Sequence, residues 1–154
     1  MIGKTIDQLK IGDSDEFTKT ISESDIYLFA GITGDLNPAH INEEYAKNTF
    51  FKGRIAHGLF IGGFVSTVIG TKLPGPGSIY SEQQLKFLAP VRIGDTITAR
   101  VEVKEINIEK NKITLETSCF NQNKIIVVDG KAIIHPPKEK IKKNRNTIIP
   151  IKQF

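Results

Sequence analysis

The sequence predicts an α+β domain in which an antiparallel sheet wraps around one long central helix. Three observations carry this. Residues 55–73 are the most apolar stretch of the chain, and Leu59, Phe60, Ile61, Phe64, Val65, Val68, Ile69 and Leu73 leave it almost no polar face, the mark of a buried helix. The turn Pro74-Gly75-Pro76-Gly77 then ends that pattern. Beyond it, runs rich in Ile, Val, Thr and Phe alternate with short Asn-containing turns, as strands joined by hairpins do.

In chain order, the first element expected is a strand over residues 16–21. Ser22-Glu23-Ser24-Asp25 supplies N-cap candidates for a short helix from Asp25 to about Gly31, with Ile26, Leu28, Phe29 and Ile32 forming a broad apolar face. Asn37-Pro38 disfavours helix at Asn37, so the chain bends there. A second short helix is expected over residues 42–48. The 55–73 stretch holds His57, Ser66, Thr67 and several glycines and is barely long enough to cross a bilayer, so it is read as a core helix and not a membrane span. Gly62 and Gly63 each weaken a helix by about 1 kcal/mol relative to alanine, which points to a neighbour packed close to the backbone. Strands over residues 78–88, 95–109, 112–121 and 124–135 should form an antiparallel meander, with turns at Glu109-Lys110-Asn111 and Asn121-Gln122-Asn123. Such a sheet leaves an edge for a second subunit to pair with.

A length of 154 residues suits one domain with a real core, placed at 1–137 and followed by a basic tail at 138–154. The hydrophobic fraction of 39% and charged fraction of 25% are those of a globular, water-soluble chain. The single cysteine, Cys119, excludes an intramolecular disulfide and a cysteine-based metal cluster. It reads as a small hydrophobe on a strand in a cytoplasmic protein. No uninterrupted apolar run opens the chain, so no signal peptide is expected. The net charge of +4 is local: from Lys138 onward Lys and Arg stand against Glu139 alone, and the body is almost neutral. No recognition motif accompanies that tail, which reads as a solvated end, and no nucleic-acid partner is expected.

The chemistry concentrates in Gly34-Asp35-Leu36-Asn37-Pro38-Ala39-His40. On a continuous helix Asp35 and His40 would diverge by about 140°. The break at Asn37-Pro38 lets them converge across one bend instead. A carboxylate and an imidazole facing one cavity make a proton-transfer pair near neutral pH. Gly34 permits a backbone shape closed to other residues. On residue types alone the segment reads equally well as a helix end followed by an Asx turn, with His40 a satisfied, partly buried histidine. No third ligand lies at a familiar spacing, so no metal is expected. The second constellation is Ala56-His57-Gly58, opening the apolar helix. The first amides of a helix lack internal partners and favour negative charge. The Gly58 N–H is thus a candidate oxyanion donor, beside the plainer reading that Gly58 eases a tight turn.

These motifs resemble the MaoC-like dehydratases, a family that includes the (R)-specific enoyl-CoA hydratases. The resemblance runs through Phe29-Ala30-Gly31-Ile32-Thr33-Gly34-Asp35-Leu36-Asn37-Pro38-Ala39-His40 with Ala46 beyond it, and through Arg54-Ile55-Ala56-His57-Gly58. It continues in Pro74-Gly75-Pro76-Gly77-Ser78-Ile79-Tyr80 and Phe87-Leu88-Ala89-Pro90-Val91-Arg92-Ile93-Gly94-Asp95, so that it spans residues 5–136. It implies a hot-dog fold and a homodimer formed by continuation of the sheet. It also implies reversible syn addition of water to a trans-2-enoyl thioester, of short acyl chain, giving an (R)-3-hydroxyacyl thioester. Asp35 would take a proton from water as oxygen attacks C3. His40 would hold that water and help deliver the proton to C2, and the Gly58 N–H would stabilise charge on the thioester oxygen. Ser66 would line the same pocket and Asn37 would hold the bend. No metal or redox cofactor is implied; coenzyme A, or acyl carrier protein, belongs to the substrate.

Two other functions use the same fold: an acyl-CoA thioesterase and a non-catalytic subunit of a heterodimer. Both typically lack the Asp–His run that is present here. Phe60 and Phe64 are expected either to shorten an acyl tunnel or to point into the sheet.

Overall fold

Period-two alternation sets the centre of the sheet. Along β3 (Thr96–Asn107), Ile97, Ala99, Val101 and Val103 turn to one face and are fully buried, as are Ile113, Leu115 and Cys119 along β4 (Lys112–Phe120). The computed structural model describes residues 2–138, so the expected tail lies, apart from Lys138, outside the described residues. With β1 (Ser14–Thr20), β2 (Ile79–Phe87) and β5 (Ile126–His135), these strands form one five-stranded antiparallel sheet in the order β1-β3-β4-β5-β2.

That order corrects the expected meander. β3, β4 and β5 do follow one another through tight turns, with Asn111 and Lys124 in left-handed backbone conformations. β2, however, pairs with β5 at the far side of the sheet and not with β3. The reason is the connection after β2, which is no hairpin. It sends Val91 into the core, where its carbonyl accepts from the Ala56 N–H at 2.8 Å. It then passes Gly94 and Asp95, both bonded to Ile21 beyond the end of β1.

The apolar stretch forms α4 (Gly58–Thr71), which packs against β1, β3, β4 and β5 through Ile61, Phe64, Val65, Val68 and Ile69. Each such side chain contributes about 1.5–3 kcal/mol by leaving water. A single helix held in the curve of one antiparallel sheet is the hot-dog arrangement. The helix is nonetheless not enclosed on all sides: Leu59 is 66% exposed, and Gly63, Ser66 and Gly70 are exposed with it. Among the described residues no helix is long and apolar enough to cross a membrane.

The paired glycines divide. A Cβ on Gly62 would lie 2.8 Å from Leu85 Cδ1, so β2 does pack close to the backbone there, whereas Gly63 has nothing nearby. Phe64 is core and meets Phe17 edge-on at 5.4 Å; Phe60 packs between Phe64 and Phe29. Cys119 is buried and free, and burial pushes its thiol up to about 12.

Before α4 the chain makes α1 (Glu23–Thr33), α2 (Pro38–Ile41) and α3 (Glu43–Ala46). α1 starts at a capping box, where Ser22 Oγ accepts from the Asp25 N–H and the Asp25 carboxylate accepts from the Ser22 N–H. Of the broad apolar face expected on α1, Ile26 is buried and Phe29 half-buried, while Leu28 and Ile32 stay exposed.

Candidate active site

Local hydrogen bonds shape the bend. α1 ends on Gly34 at φ +78°, a left-handed cap that glycine adopts at little cost. The Asp35 N–H donates to Thr33 Oγ1 at 3.2 Å, and the Asp35 carboxylate accepts from the Asn37 N–H at 3.2 Å. Asn37 Oδ1 then accepts from the Ala39 N–H at 3.0 Å and caps α2, with Pro38 in the first helical position. Asn37 therefore builds the turn that carries His40, and it is not among the residues lining the cavity described below.

His40 is fixed from the opposite side. Its Nδ1 lies 2.8 Å from the Ile55 carbonyl, and a carbonyl only accepts, so Nδ1 carries the hydrogen and Nε2 the lone pair. The strand of chain that holds Ile55 is itself anchored. Arg54 binds Glu23 and Tyr27 of α1 and Glu43 of α3, and the Ile55 N–H donates to the Ala39 carbonyl at 3.2 Å.

His57 joins the pair. It is 2% exposed, its Nε2–H donates to the Asp35 carbonyl at 3.0 Å, and its ring lies 3.8 Å from that of His40 at 31°. Side-chain donor atoms of Asp35, His40 and His57 fall within 4.8 Å of one another. Spacing along the sequence does not predict this third potential ligand. His57 Nε2 is engaged by the Asp35 carbonyl and His40 Nδ1 by the Ile55 carbonyl, which leaves His40 Nε2 near the Asp35 carboxylate, a pair placed for proton transfer.

Asp35, His40, His57 and Gly58 all line one cavity of about 600 Å³, whose walls include Phe29, Phe50, Phe51, Phe87 and Val127. Gly58 is the first residue of α4. The His57 side chain before it makes no cap, so the opening amides keep no side-chain acceptor. Gly58 is also a close-packing position, since a Cβ there would sit 2.8 Å from the Phe87 ring. Gly58→Ala should therefore displace Phe87 and lower turnover about tenfold, and adding Phe87→Ala should restore part of it. Steady-state kinetics of the single and double variants check this. Ser66 is exposed on α4 and does not line the cavity.

Burial, the largest influence, lowers the His40 pKa below its ordinary 6.5, and His57 lowers it further; the Ile55 bond and Asp35 act in the opposite direction. The lone pair on Nε2 thus persists as pH falls through 6.5. A reaction that uses it should show an acid limb below the ordinary histidine value, measurable as kcat/KM against pH.

Fold and site together define a hot-dog protein with a carboxylate–imidazole pair and an open helix N-terminus facing one apolar pocket. Residues 8–123 match the MaoC-like domain family, and the chain belongs to it. It is 55% identical over 131 residues to an (R)-specific enoyl-CoA hydratase of Rhodospirillum rubrum, covering 85% of this chain and 90% of that one. It is 45% identical over 133 residues to a 3-hydroxybutyryl-CoA dehydratase of Methylorubrum extorquens, covering 86% and 84%. A solved R-hydratase of Pseudomonas aeruginosa superposes with a TM-score of 0.85 at 41% identity, covering 99% of this chain and 97% of the other.

Proposed function

We propose that the chain is a hydro-lyase that adds water reversibly to a trans-2-enoyl thioester of short acyl chain, giving the (R)-3-hydroxyacyl thioester. The observation that carries this reading is the convergence of Asp35, His40 and Gly58 on one cavity with apolar walls. A water held between the Asp35 carboxylate and His40 Nε2 attacks C3. Asp35 takes the proton, a proton is delivered to C2 on the same face with help from His40, and the pair returns to its starting state. As C2 becomes nucleophilic, charge grows on the thioester oxygen, where the Gly58 N–H at the start of α4 stabilises it. Coenzyme A, or acyl carrier protein, leaves with the product as part of the thioester.

Loss of enoyl absorbance from crotonyl-CoA on adding the protein is the test. Thiol release from saturated acyl-CoA, with crotonyl-CoA untouched, would replace this reading with a thioesterase. We also propose a homodimer that extends the sheet across β2. That strand pairs on one side with β5 alone and exposes the large apolar Ile79, Tyr80 and Phe87 beside Glu82 and Lys86, whereas β1 exposes no large apolar side chain and carries Asp15, Glu16 and Lys19. Sedimentation should give twice the chain mass, and Ile79→Lys, which places a charge on the exposed end of β2, should shift it toward monomer.

A further inference from the structure

Two histidines share the cavity, and the reaction above uses only one. We propose that His57 is a positioning residue for the Asp35–His40 pair, holding the Asp35 backbone through its Nε2–H and the His40 imidazole through its ring face. The proposal rests on the hydratase reading of this site and adds a residue to it.

The Asp35 turn is exposed, and packing does little to hold it. Its other hydrogen bonds are local, reaching Thr33 and Asn37 two positions away. The bond from His57 comes from 22 residues further along the chain and ties this turn to the start of α4. His40 has a comparable need. Its one side-chain bond, to the Ile55 carbonyl, fixes a nitrogen but leaves the ring face to be set by contact. His57 supplies that contact at 3.8 Å, and Phe29, at 4.9 Å, fixes the His57 ring in turn.

The arrangement sacrifices local stability. His57 occupies the N-cap of α4, a position where Ser, Thr, Asp or Asn would satisfy an orphan amide, yet its side chain caps nothing. Its Nδ1 is left buried without a partner, alone in this among the described side chains. A residue chosen for the helix would do neither. The three titratable side chains lining the cavity are Asp35, His40 and His57. Asp35 favours the imidazolium of His40, and the stacked His57 opposes it. The same contact that orients His40 thus helps to keep its lone pair available.

Two variants separate the two contacts. His57→Phe keeps a ring against His40 and removes the donor; His57→Gln keeps an N–H of similar reach and removes the ring. With crotonyl-CoA, H57F should lose about tenfold in kcat with KM within about twofold. H57Q should stay within about threefold in kcat, while the acid limb of its kcat/KM profile moves to higher pH. Wild-type kcat and an unmoved limb in both variants overturn the proposal. Equal losses in both with unmoved limbs overturn it too, since they would reflect packing alone. An NMR titration of the His40 imidazole in wild type and H57Q, without substrate, reads the pairing directly and also decides the matter should H57F not fold. The midpoint should rise in H57Q, and an unchanged midpoint overturns the proposal. If the midpoint rises but the wild type hydrates no enoyl thioester, the hydratase reading falls and the pairing stands.

Discussion

Asp35→Asn is expected to lower hydration of crotonyl-CoA by about 10²–10⁴-fold, the usual contribution of a positioned acid or base. The amide oxygen of asparagine can still accept from the Asn37 N–H, so the turn survives. The residue is exposed and lies outside the core, so the melting temperature should move by no more than a few degrees. His40→Ala should be comparably inactive, because it removes the Nε2 acceptor along with the bond to Ile55. Absorbance at the enoyl band measures turnover, and circular dichroism checks the fold. Near wild-type turnover in both variants would remove the site from these residues.

Val65→Asp is expected to abolish folding. Val65 is 0% exposed on the face of α4 that meets the sheet. A carboxylate there has no partner and costs several kcal/mol in desolvation, with lost packing added. A domain of this size is stable by about 5–15 kcal/mol in all, so most molecules should be unfolded. Thr71→Asp, on the exposed end of the same helix, should cost no more than about 1 kcal/mol. Urea melts of the two variants make the comparison, and a folded, soluble V65D protein would contradict the placement of α4.

The elements were legible because their signals are local. β3 and β4 announce themselves by alternation, α4 by its apolar run, and the bend at Asn37 by the proline after it. Partner choice is different. Nothing in residues 79–87 specifies that their neighbour is β5; that follows from a connection whose Val91 is drawn into the core. Burial depends on the same choice of partners: Leu28, Ile32 and Leu59 look like core residues in a helix but face outward here. Within the site, Asp35 and His40 share one short motif and could be paired from the sequence, with family resemblance supplying the chemistry. His57 belongs to a motif in which the glycine carries the plainer signal. Its contact with Asp35 depends on how α1 ends and α4 begins, which spacing does not encode. A histidine at an N-cap, where it is a poor choice for the helix, was the available clue.

β2 seats Phe87 against Gly58 and Leu85 against Gly62, so two strand residues mesh with two helix positions one turn apart. The strand is also the last in its sheet, and exposes Ile79, Tyr80 and Phe87 at its ends. Strand and helix are thus fitted to each other by shape: the border strand supplies the wall against which the first turn of α4 packs. The packing around the Gly58 N–H is thereby tied to the sheet's outer rim, and through His57 so are Asp35 and His40.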